Sequence, residues 1–399
     1  MAIHQFINGD PDATLRFIDT HHDADPKRLA FEAAKTAGVD VDFVMRQVEG
    51  RKTARTKLPL WASTDGIVYP PRLALEQCSS EATAAYKARL TVGDSLADLT
   101  GGFGVDFSLM AQGKRRTVYV ERQEQLCRLA RHNLPLLGLK DAEVTCADSE
   151  EYIINMSPVD TIFVDPARRD IHGRRTYAIA DCAPDVTRLL PAMLAKARRV
   201  VVKLSPMLDV SDTVRQLPGM SSLHILAVGG ECKELVAVVD RDHHGDVEVC
   251  CRNDAEVFNY PFGAAPCPTP VWNGNGRPRF LMVPNAAVMK SGRFDLVAGR
   301  FGLQAVAEQS HLFVSDSLPA EFPGRTFTVD AISSLNKNEL RQAMQGITRA
   351  NIATRNFPLT PAELKKRLGT ADGGDIYIFG TRDARGKSFI FITRKQDAR

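Results

Sequence analysis

The chain has 399 residues, of which 44% are hydrophobic and 25% are charged, and its formal net charge is +3. This length predicts two to four domains, and this composition is typical of a globular protein. The sequence holds no run of roughly 18 apolar residues, and it begins without the basic and apolar regions of a secretory signal, so we expect neither a membrane span nor secretion.

Residues 1–75 are predicted to form an N-terminal helical region. Apolar residues recur at helical spacing between positions 25 and 48. Tyr69-Pro70-Pro71 interrupts this pattern, and Ser79-Ser80 offers good N-caps for the helix that follows. No residue of the helical region indicates chemistry.

From Asp94 onward, short apolar runs alternate with helix-like stretches, a pattern that predicts a parallel sheet covered on both faces. Only Gly229-Gly230-Glu231-Cys232-Lys233-Glu234 separates the last two runs, so they should form an antiparallel hairpin. The predicted fold class is therefore α/β, with a Rossmann-like domain over residues 76–250 whose seven-stranded, mostly parallel sheet has an antiparallel last strand. The predicted strands are Ser95–Leu99, Thr117–Val120, Ala142–Thr145, Thr161–Val164, Val200–Leu204, Leu223–Val228 and Leu235–Val239.

Three further segments are predicted beyond this domain. Residues 251–276 are rich in Pro, Gly and Asn and are interpreted as a linker. Two C-terminal α+β modules follow, over residues 277–322 and 323–399. The last module holds 14 Lys and Arg against 7 Asp and Glu. A basic terminal module suits a polyanionic partner, and an ordinary solvated surface is the alternative interpretation.

The eight cysteines are scattered, and none belongs to a C-x-x-C pair. This usage predicts reduced thiols in a cytoplasmic protein. It argues against a disulfide framework and against a zinc site, so we expect no metal.

The glycine-rich turn Asp98-Leu99-Thr100-Gly101-Gly102-Phe103-Gly104 follows the first predicted strand and opens a helix. Glycine allows the backbone to approach a ligand closely. Glu121, Asp148 and Asp165 follow the next three strands, and in an open α/β sheet all four loops lie at the carboxyl edge, where ligands bind. A carboxylate at Glu121 can accept hydrogen bonds from ribose hydroxyls. The turn alone would serve NAD, FAD or S-adenosylmethionine.

Over about residues 76–245 this set resembles the class I S-adenosylmethionine-dependent methyltransferases. The resemblance implies S-adenosyl-L-methionine as cofactor, with its methionine part at Gly102 and Gly104, its ribose at Glu121 and its adenine at Asp148. Thr100 stands where that family usually has the first glycine of the loop, which leaves the detailed shape of the loop open. The implied cofactor-binding residues are Asp98, Thr100, Gly101, Gly102, Gly104, Glu121, Asp148, Ser149 and Asp165.

The whole chain is also similar to a bacterial group of methyltransferases that carry a THUMP-like domain after a small ferredoxin-like domain. Three phrases carry this similarity: Glu76-Gln77-Cys78-Ser79-Ser80-Glu81, Asp165-Pro166-Ala167-Arg168-Arg169 and Lys203-Leu204-Ser205-Pro206. The resemblance implies a ferredoxin-like domain over residues 277–322 and a THUMP-like domain over residues 323–399. Because THUMP domains are associated with RNA binding, it also implies RNA, either tRNA or rRNA, as the partner.

Asp165 is compatible with two methyl acceptors. Enzymes that methylate an exocyclic base amine often place Asp/Asn-Pro-Pro-aromatic after the fourth strand, and Asp165-Pro166-Ala167-Arg168 matches that motif in part. The same run resembles the Asp-Pro-Pro-Arg of uracil C5 methyltransferases, which we disfavour because no downstream cysteine is suitably placed as a nucleophile.

The other acceptor is a ribose 2′-hydroxyl. The order Lys87, Asp165, Lys203 and Glu234 resembles the catalytic tetrad of ribose 2′-O-methyltransferases. In that chemistry a buried lysine with a lowered pKa, oriented by two acids, would activate the hydroxyl. The alternative interpretation is that Lys87 and Glu234 are solvent-facing charges and Lys203 only ends a strand.

Arg168 and Arg169 begin an arginine-rich loop after the fourth strand. We interpret them as substrate-binding residues that hold phosphate, with salt bridges to neighbouring acids as the alternative.

Other functions stay open at this point. The chain would also suit a methyltransferase for a small molecule or a protein, with the C-terminal domains used for dimerisation. Because Glu121 permits NAD, an NAD-binding oxidoreductase or an inactive binding module is a further alternative. The terminal hairpin and Asp165-Pro166 favour methyl transfer, and the sequence does not indicate the oligomeric state.

Overall fold

The computed structural model describes residues 3–21, 25–168 and 179–396. The chain divides into two compact units. The N-terminal unit comprises Met1–Leu223 and Glu234–Gly245, and the C-terminal unit comprises His224–Lys233 and Asp246–Arg399. The predicted helical region over residues 1–75 therefore belongs to the same unit as the sheet that follows it.

The helices of the N-terminal region begin at residues that can cap them. The carboxylate of Asp40 accepts a hydrogen bond from the N–H of Phe43, and the hydroxyl of Ser80 accepts one from the N–H of Thr83. These bonds satisfy N–H groups that the first turn of a helix leaves unpaired. The helices are α1 (Pro11–His21), α2 (Pro26–Lys35), α3 (Val41–Lys57), α4 (Pro59–Ser63), α5 (Arg72–Gln77) and α6 (Glu81–Ala88), preceded by a short 3-10 helix at Ile3–Phe6.

The first sheet along the chain follows the predicted α/β pattern. Its strands are β1 (Ser95–Asp98), β2 (Arg116–Glu121), β3 (Glu143–Cys146), β4 (Val159–Val164), β7 (Ala197–Leu204), β8 (Met220–Val228) and β9 (Glu231–Asp240), with a short ladder of β5 (Ala167–Arg168) and β6 (Cys182–Ala183) after β4. The helices between them are α7 (Val105–Met110), α8 (Glu124–Leu136), α9 (Ser149–Asn155), α10 (Val186–Lys196) and α11 (Val210–Gln216), with a 3-10 helix at Ile179–Asp181.

The strand order in this part of the sheet is β8-β9-β7-β4-β1-β2-β3. The strands β7, β4, β1, β2 and β3 are mutually parallel, and β9 runs antiparallel to β7. Val200, Val201 and Val202 of β7 are fully buried, as expected for a parallel strand covered on both faces. The predicted α/β fold, with a mostly parallel sheet and an antiparallel strand next to β7, is confirmed. The predicted count of seven strands is wrong, because the sheet has nine among the described residues.

The prediction of a linker over residues 251–276 is wrong in its first half. The segments β10 (Glu248–Asn253) and β11 (Glu256–Pro261) form an antiparallel hairpin with a tight turn at Asp254, whose φ is 51°. The reason is that the Pro- and Gly-rich composition begins only at Pro261, whereas the residues before it have the apolar and aromatic side chains that favour strands.

The two predicted C-terminal modules share one sheet instead of forming separate ones. Its order is β13-β14-β12-β15-β18-β17-β16. Phe280 pairs with Thr328 across the predicted module boundary, and Leu281 and Phe327 lie in one hydrophobic core. The elements are β12 (Phe280–Pro284), α12 (Ala286–Ser291), α13 (Phe294–Phe301), β13 (Gln304–Ala305), β14 (Phe313–Ser315), β15 (Gly324–Ser334), α14 (Lys337–Ala343), β16 (Asn351–Thr354), α15 (Pro361–Leu368), β17 (Ile376–Arg382) and β18 (Ser388–Lys395). Among the described residues of the whole chain, no helix combines the length and the apolar run that a bilayer crossing requires.

Candidate functional site

The carboxyl ends of β1, β2, β3 and β4 surround one cavity of about 910 Å³. This volume lies in the range of small-molecule sites, roughly 300–1,000 Å³. The residues predicted to bind a cofactor all line this cavity: Asp98, Thr100, Gly101, Gly102, Gly104, Glu121, Asp148, Ser149 and Asp165. The fold therefore brings together residues that lie far apart in the chain.

The glycine-rich turn needs glycine for two different reasons. A Cβ on Gly101 would lie 2.2 Å from the ring of Tyr119, so no side chain fits there. Gly102 and Gly104 have φ of +56° and +91°, a conformation that favours glycine. The hydroxyl of Tyr119 donates a hydrogen bond to the carbonyl oxygen of Gly102, which fixes the turn on β2 beside the cavity.

Thr100, where the sequence departs from the usual glycine, joins the ends of two strands. Its N–H donates to Asp98 Oδ1 at 2.9 Å, and its hydroxyl accepts from the backbone N–H of Asp165 at 2.6 Å. The side chain thus connects the end of β1 to the end of β4. Burial raises the pKa of Asp98 well above its usual value.

The two acids predicted to face ribose and adenine also serve the local backbone. Glu121 accepts hydrogen bonds from the N–H groups of Gly102, at 3.0 Å, and Gln123, at 2.8 Å. Asp148 is the N-cap of α9 and accepts from the N–H of Glu150 at 2.8 Å. Since an ionised carboxylate has about four acceptor sites, both acids retain capacity for a ligand.

Lys203 and Asp165 form an ion pair at the edge of the cavity. Lys203 Nζ lies 2.5 Å from Asp165 Oδ2, and the side chain of Asp165 is 37% exposed against 14% for Lys203. Burial lowers the pKa of Lys203, but the carboxylates of Asp165, Asp106 and Glu234 outweigh that effect and raise it overall. The expected lysine with a lowered pKa is therefore wrong for Lys203, because three nearby acids favour its charged form.

Lys87 and Glu234 form a second, enclosed cluster. Lys87 is fully buried, and its Nζ lies 2.5 Å from Glu234 Oε1, 2.8 Å from Ser79 Oγ and 3.0 Å from Asp106 Oδ1. Burial raises the pKa of Glu234 despite the opposing effect of Lys87. Both side chains are buried, so the interpretation of these two residues as solvent-facing charges is wrong. Of the four residues of the predicted tetrad, Asp165 lines the cavity, and the tetrad forms two adjacent ion pairs, since Glu234 also raises the pKa of Lys203.

The predicted substrate-binding residues Arg168 and Arg169 follow Ala167, which lines the cavity. Arg169 lies outside the described residues, and so does the side chain of Arg168. The backbone of Arg168 pairs with Cys182 in the short ladder after β4.

Several cavity residues were not predicted. Pro71, Leu73 and Gln77 line the cavity from α5 and the residue before it. Pro71 and Leu73 belong to the region where the sequence indicated no chemistry, and Gln77 belongs to a phrase that carried only the family resemblance. Ser79 and Asp106 line it from the starts of α6 and α7. Ser79-Ser80 was predicted as a helix cap and belongs to a phrase that carried the family resemblance, but neither serine was predicted to line the site. Nothing in the sequence indicated a role for Asp106 except its position just after the glycine-rich turn.

None of the eight cysteines, all of which lie among the described residues, forms a disulfide. Within the described ranges, the ligand atoms of Glu124, Cys127 and Cys146 lie within 4.8 Å of one another, a grouping that the spacing in the sequence did not indicate. Burial raises the pKa of Cys127 to about 12.

Comparisons with known proteins agree with this site. The protein-L-isoaspartate(D-aspartate) O-methyltransferase family matches residues 74–175, a ferredoxin-like domain family matches residues 280–323 and a THUMP domain-like family matches residues 324–395. A crystal structure of a Porphyromonas gingivalis W83 protein assigned as a methyltransferase has 32% sequence identity and a TM-score of 0.85. The match covers 98% of this chain and 100% of that chain. Two uncharacterized S-adenosylmethionine-dependent methyltransferases of Mycobacterium tuberculosis, from strains CDC 1551 and H37Rv, are each 24% identical over 320 residues, which is 78% of this chain and 84% of theirs.

The parallel sheet with its antiparallel last strand and the glycine-lined cavity define an S-adenosylmethionine-dependent methyltransferase. The chain belongs to the same family as the P. gingivalis protein, and it carries C-terminal ferredoxin-like and THUMP-like domains. The methyltransferase interpretation is thereby confirmed over the oxidoreductase alternative, and S-adenosylmethionine is the cofactor.

The residues present fit this cofactor. The turn at Gly101 and Gly102 leaves backbone exposed where a Cβ would fill the space, and Glu121 and Asp148 offer acceptors at successive strand ends. One oxygen of Asp106 is buried at the cavity wall, where it pairs with Lys87 but accepts no hydrogen bond from the protein, so it retains an acceptor site for a ligand donor.

Proposed function

We propose that this methyltransferase modifies RNA, with tRNA or rRNA as the substrate class. The THUMP-like match over residues 324–395 supports the proposal because THUMP domains are associated with RNA binding in tRNA-modifying enzymes. Charge supports it independently, since residues 323–399 hold 14 Lys and Arg against 7 Asp and Glu. Basic side chains that neutralise phosphates supply much of the affinity for nucleic acid.

The proposal includes an orientation for the cofactor. The adenine would lie beside Asp148, the ribose beside Glu121 and the methionine part along the glycine-rich turn. This orientation follows the strand ends in their order across the sheet, β3, β2 and β1, and it leaves the reacting end beside Asp165 at the end of β4. Arg168 and Arg169 would then lie next to the target nucleotide and hold its phosphates.

The site favours an exocyclic amine of a base as the methyl acceptor. The ion pair of Lys203 with Asp165 is the main observation that supports this acceptor. Bound S-adenosylmethionine supplies an electrophilic methyl group on its sulfonium. Lys203 holds Oδ2 of Asp165, and among the described residues no hydrogen bond reaches Oδ1. Oδ1 would orient the amine by accepting one N–H and would take the proton that the nitrogen releases on methylation.

The ribose 2′-hydroxyl is the less favoured acceptor. A hydroxyl has a high pKa, so its activation by lysine needs a neutral amine close to the substrate. The pKa of Lys203 is raised, and Lys87 and Glu234 are enclosed away from the cavity. Methylation of a small molecule or a protein, with the C-terminal unit used for dimerisation, is the remaining alternative.

Comparison of modified nucleosides in a deletion strain tests the proposal. Mass spectrometry of total tRNA and rRNA is expected to show the loss of one nucleoside methylated on its base. The wild-type gene should restore it, and a gene with Asp165→Asn should not. Asp212→Asn is the matched control, because Asp212 is exposed on α11 and does not line the cavity.

Two outcomes would contradict the proposal at different points. If no RNA nucleoside is lost, the RNA substrate is wrong. If the lost nucleoside carries its methyl group on the ribose, the RNA substrate is supported and the proposed amine acceptor is wrong.

A further inference from the structure

Asp106 is a carboxylate at the cavity wall that has no part in the proposed function. It is the second residue of α7, immediately after the glycine-rich turn, and its side chain is 11% exposed. It lines the cavity together with Ser79 and Asp98. A charge in such a place is costly unless it is paired and hydrogen-bonded, so its partners show what it can bind.

The two oxygens of Asp106 have different partners. The hydroxyl of Ser79 donates to Oδ2 at 2.7 Å. Oδ1 forms an ion pair with Lys87, whose Nζ lies 3.0 Å away, and it is buried without a hydrogen bond from the protein. Because a carboxylate oxygen has two acceptor sites, Ser79 and Lys87 hold the carboxylate in place while one acceptor site of Oδ1 stays open.

Carboxyl groups outnumber lysines around Asp106. Four carboxyl groups lie in this part of the unit, on Asp98, Asp106, Asp165 and Glu234, and the described residues that pair with them include only two lysines, Lys87 and Lys203. Asp106 and Asp165 contribute to the raised pKa of Asp98, after burial as the main cause. A cationic ligand group would relieve this repulsion, whereas an anionic one would add to it.

We propose that Asp106 Oδ1 accepts a hydrogen bond from the α-ammonium group of the methionine part of S-adenosylmethionine. Ser79 and Lys87 are then positioning residues that hold the carboxylate toward this ammonium. The assignment follows from the place of Asp106 next to the turn at Gly101 and Gly102, from its open acceptor and from the surplus of acids. The assignment of Asp106 depends on the cofactor and not on RNA, so its test is independent of the proposed RNA substrate.

Calorimetry with two ligands tests this assignment on the full chain. S-adenosylhomocysteine carries the α-ammonium, and 5′-S-(3-carboxypropyl)-5′-thioadenosine keeps the carboxylate and lacks the amine. A hydrogen bond to a charged group is worth about a ten- to one-hundred-fold preference, so the wild type should prefer S-adenosylhomocysteine by about that factor. In Asp106→Asn most of this preference should disappear, while the affinity for the amine-free ligand stays within about threefold. Asp212→Asn should retain the whole preference.

Two results would overturn the assignment. If Asp106→Asn weakens both ligands by the same factor, Asp106 has only a structural role, and if the preference is unchanged, the ammonium lies elsewhere. Ser79→Ala provides a second route, because it leaves the charge of Asp106 and removes one of its anchors. It should reduce the preference severalfold, and an undiminished preference in Ser79→Ala would overturn the proposal even where Asp106→Asn does not fold.

Discussion

Two lysine–carboxylate clusters of the N-terminal unit have the same chemical groups and different surroundings. Lys87 and Glu234 are enclosed, with side chains that are 0% and 4% exposed, whereas Asp165, the partner of Lys203, is 37% exposed and lines the cavity. Removing one member of an enclosed pair leaves an uncompensated buried charge. A carboxylate that lines a cavity can instead bind a ligand or water when its protein partner is removed. We therefore expect the first cluster to determine stability and the second to determine methyl transfer.

The largest expected effect is on catalysis. Asp165→Asn removes the charge that accepts the proton and should slow methyl transfer by about 10²- to 10⁴-fold. The free energy of unfolding should fall by less than about 3 kcal/mol, because the side chain of Asp165 reaches solvent and Asp106 and Glu234 remain near Lys203. Initial rates with RNA from a strain lacking the gene, together with urea denaturation, measure both quantities. A rate of methyl transfer within threefold of the wild type would show that Asp165 is not the proton acceptor.

The second effect concerns stability. Lys87→Met leaves Glu234 and Asp106 without their buried cation and should lower the free energy of unfolding by about 3–5 kcal/mol. Lys203→Met is the matched comparison, and its loss should be smaller because solvent can reach Asp165. Equal losses in urea denaturation would show that the two clusters do not differ as proposed.

The third prediction tests the glycine-rich turn that borders both clusters. The Cβ of Gly101→Ala would clash with Tyr119, so we expect a loss of about 1–3 kcal/mol in stability and weaker binding of S-adenosylhomocysteine by calorimetry. Gly263→Ala is the control, because a Cβ there meets open space and the backbone has no positive φ. If Gly101→Ala binds S-adenosylhomocysteine as tightly as the wild type, the glycine-rich turn is not part of the cofactor site.

A smaller effect is expected at Thr100, which positions the end of β4 next to Asp165. Thr100→Val removes the acceptor for the N–H of Asp165 and should cost about 0.5–1.5 kcal/mol of stability, with a modest loss of rate. Thr100→Ser keeps the hydroxyl and should behave like the wild type. A valine variant as active and stable as the serine variant would show that this hydrogen bond is dispensable.

The last prediction is the absence of an effect. Because the pKa of Lys203 is raised, its ion pair with Asp165 stays intact below the ordinary lysine value, and its contribution to stability is lost only as pH rises through the folded-state pKa. The rate of methyl transfer should therefore show no rise attributable to Lys203 between about pH 8 and 10. A tenfold increase per pH unit would indicate a neutral lysine base and would favour the ribose hydroxyl.

The sequence predicted the sheet and the rim of the cavity well because both depend on local patterns. Apolar runs mark the strands, and in a parallel sheet the residues after each strand must meet at one edge. Glu121, Asp148 and Asp165 could therefore be placed together without knowledge of the packing.

Features that depend on long-range packing could not be predicted. Ser79 and Asp106 meet only because α6 packs against α7, and the direction of the pKa shift of Lys203 depends on three acids from different elements. The shared C-terminal sheet depends on the pairing of β12 with β15, which no local pattern indicates. The sequence did not predict that Leu73 of α5 lines the cavity, for the same reason.

The central claim, methyl transfer to a base of RNA beside Asp165, is tested most directly by following a labelled methyl group. The full chain is incubated with methyl-labelled S-adenosylmethionine and total RNA from a strain lacking the gene, and the RNA is then hydrolysed in alkali. Our account predicts label in mononucleotides, because a methylated base leaves the 2′-hydroxyl that alkaline cleavage requires. Label in alkali-stable dinucleotides, or no transfer to RNA at all, would contradict it.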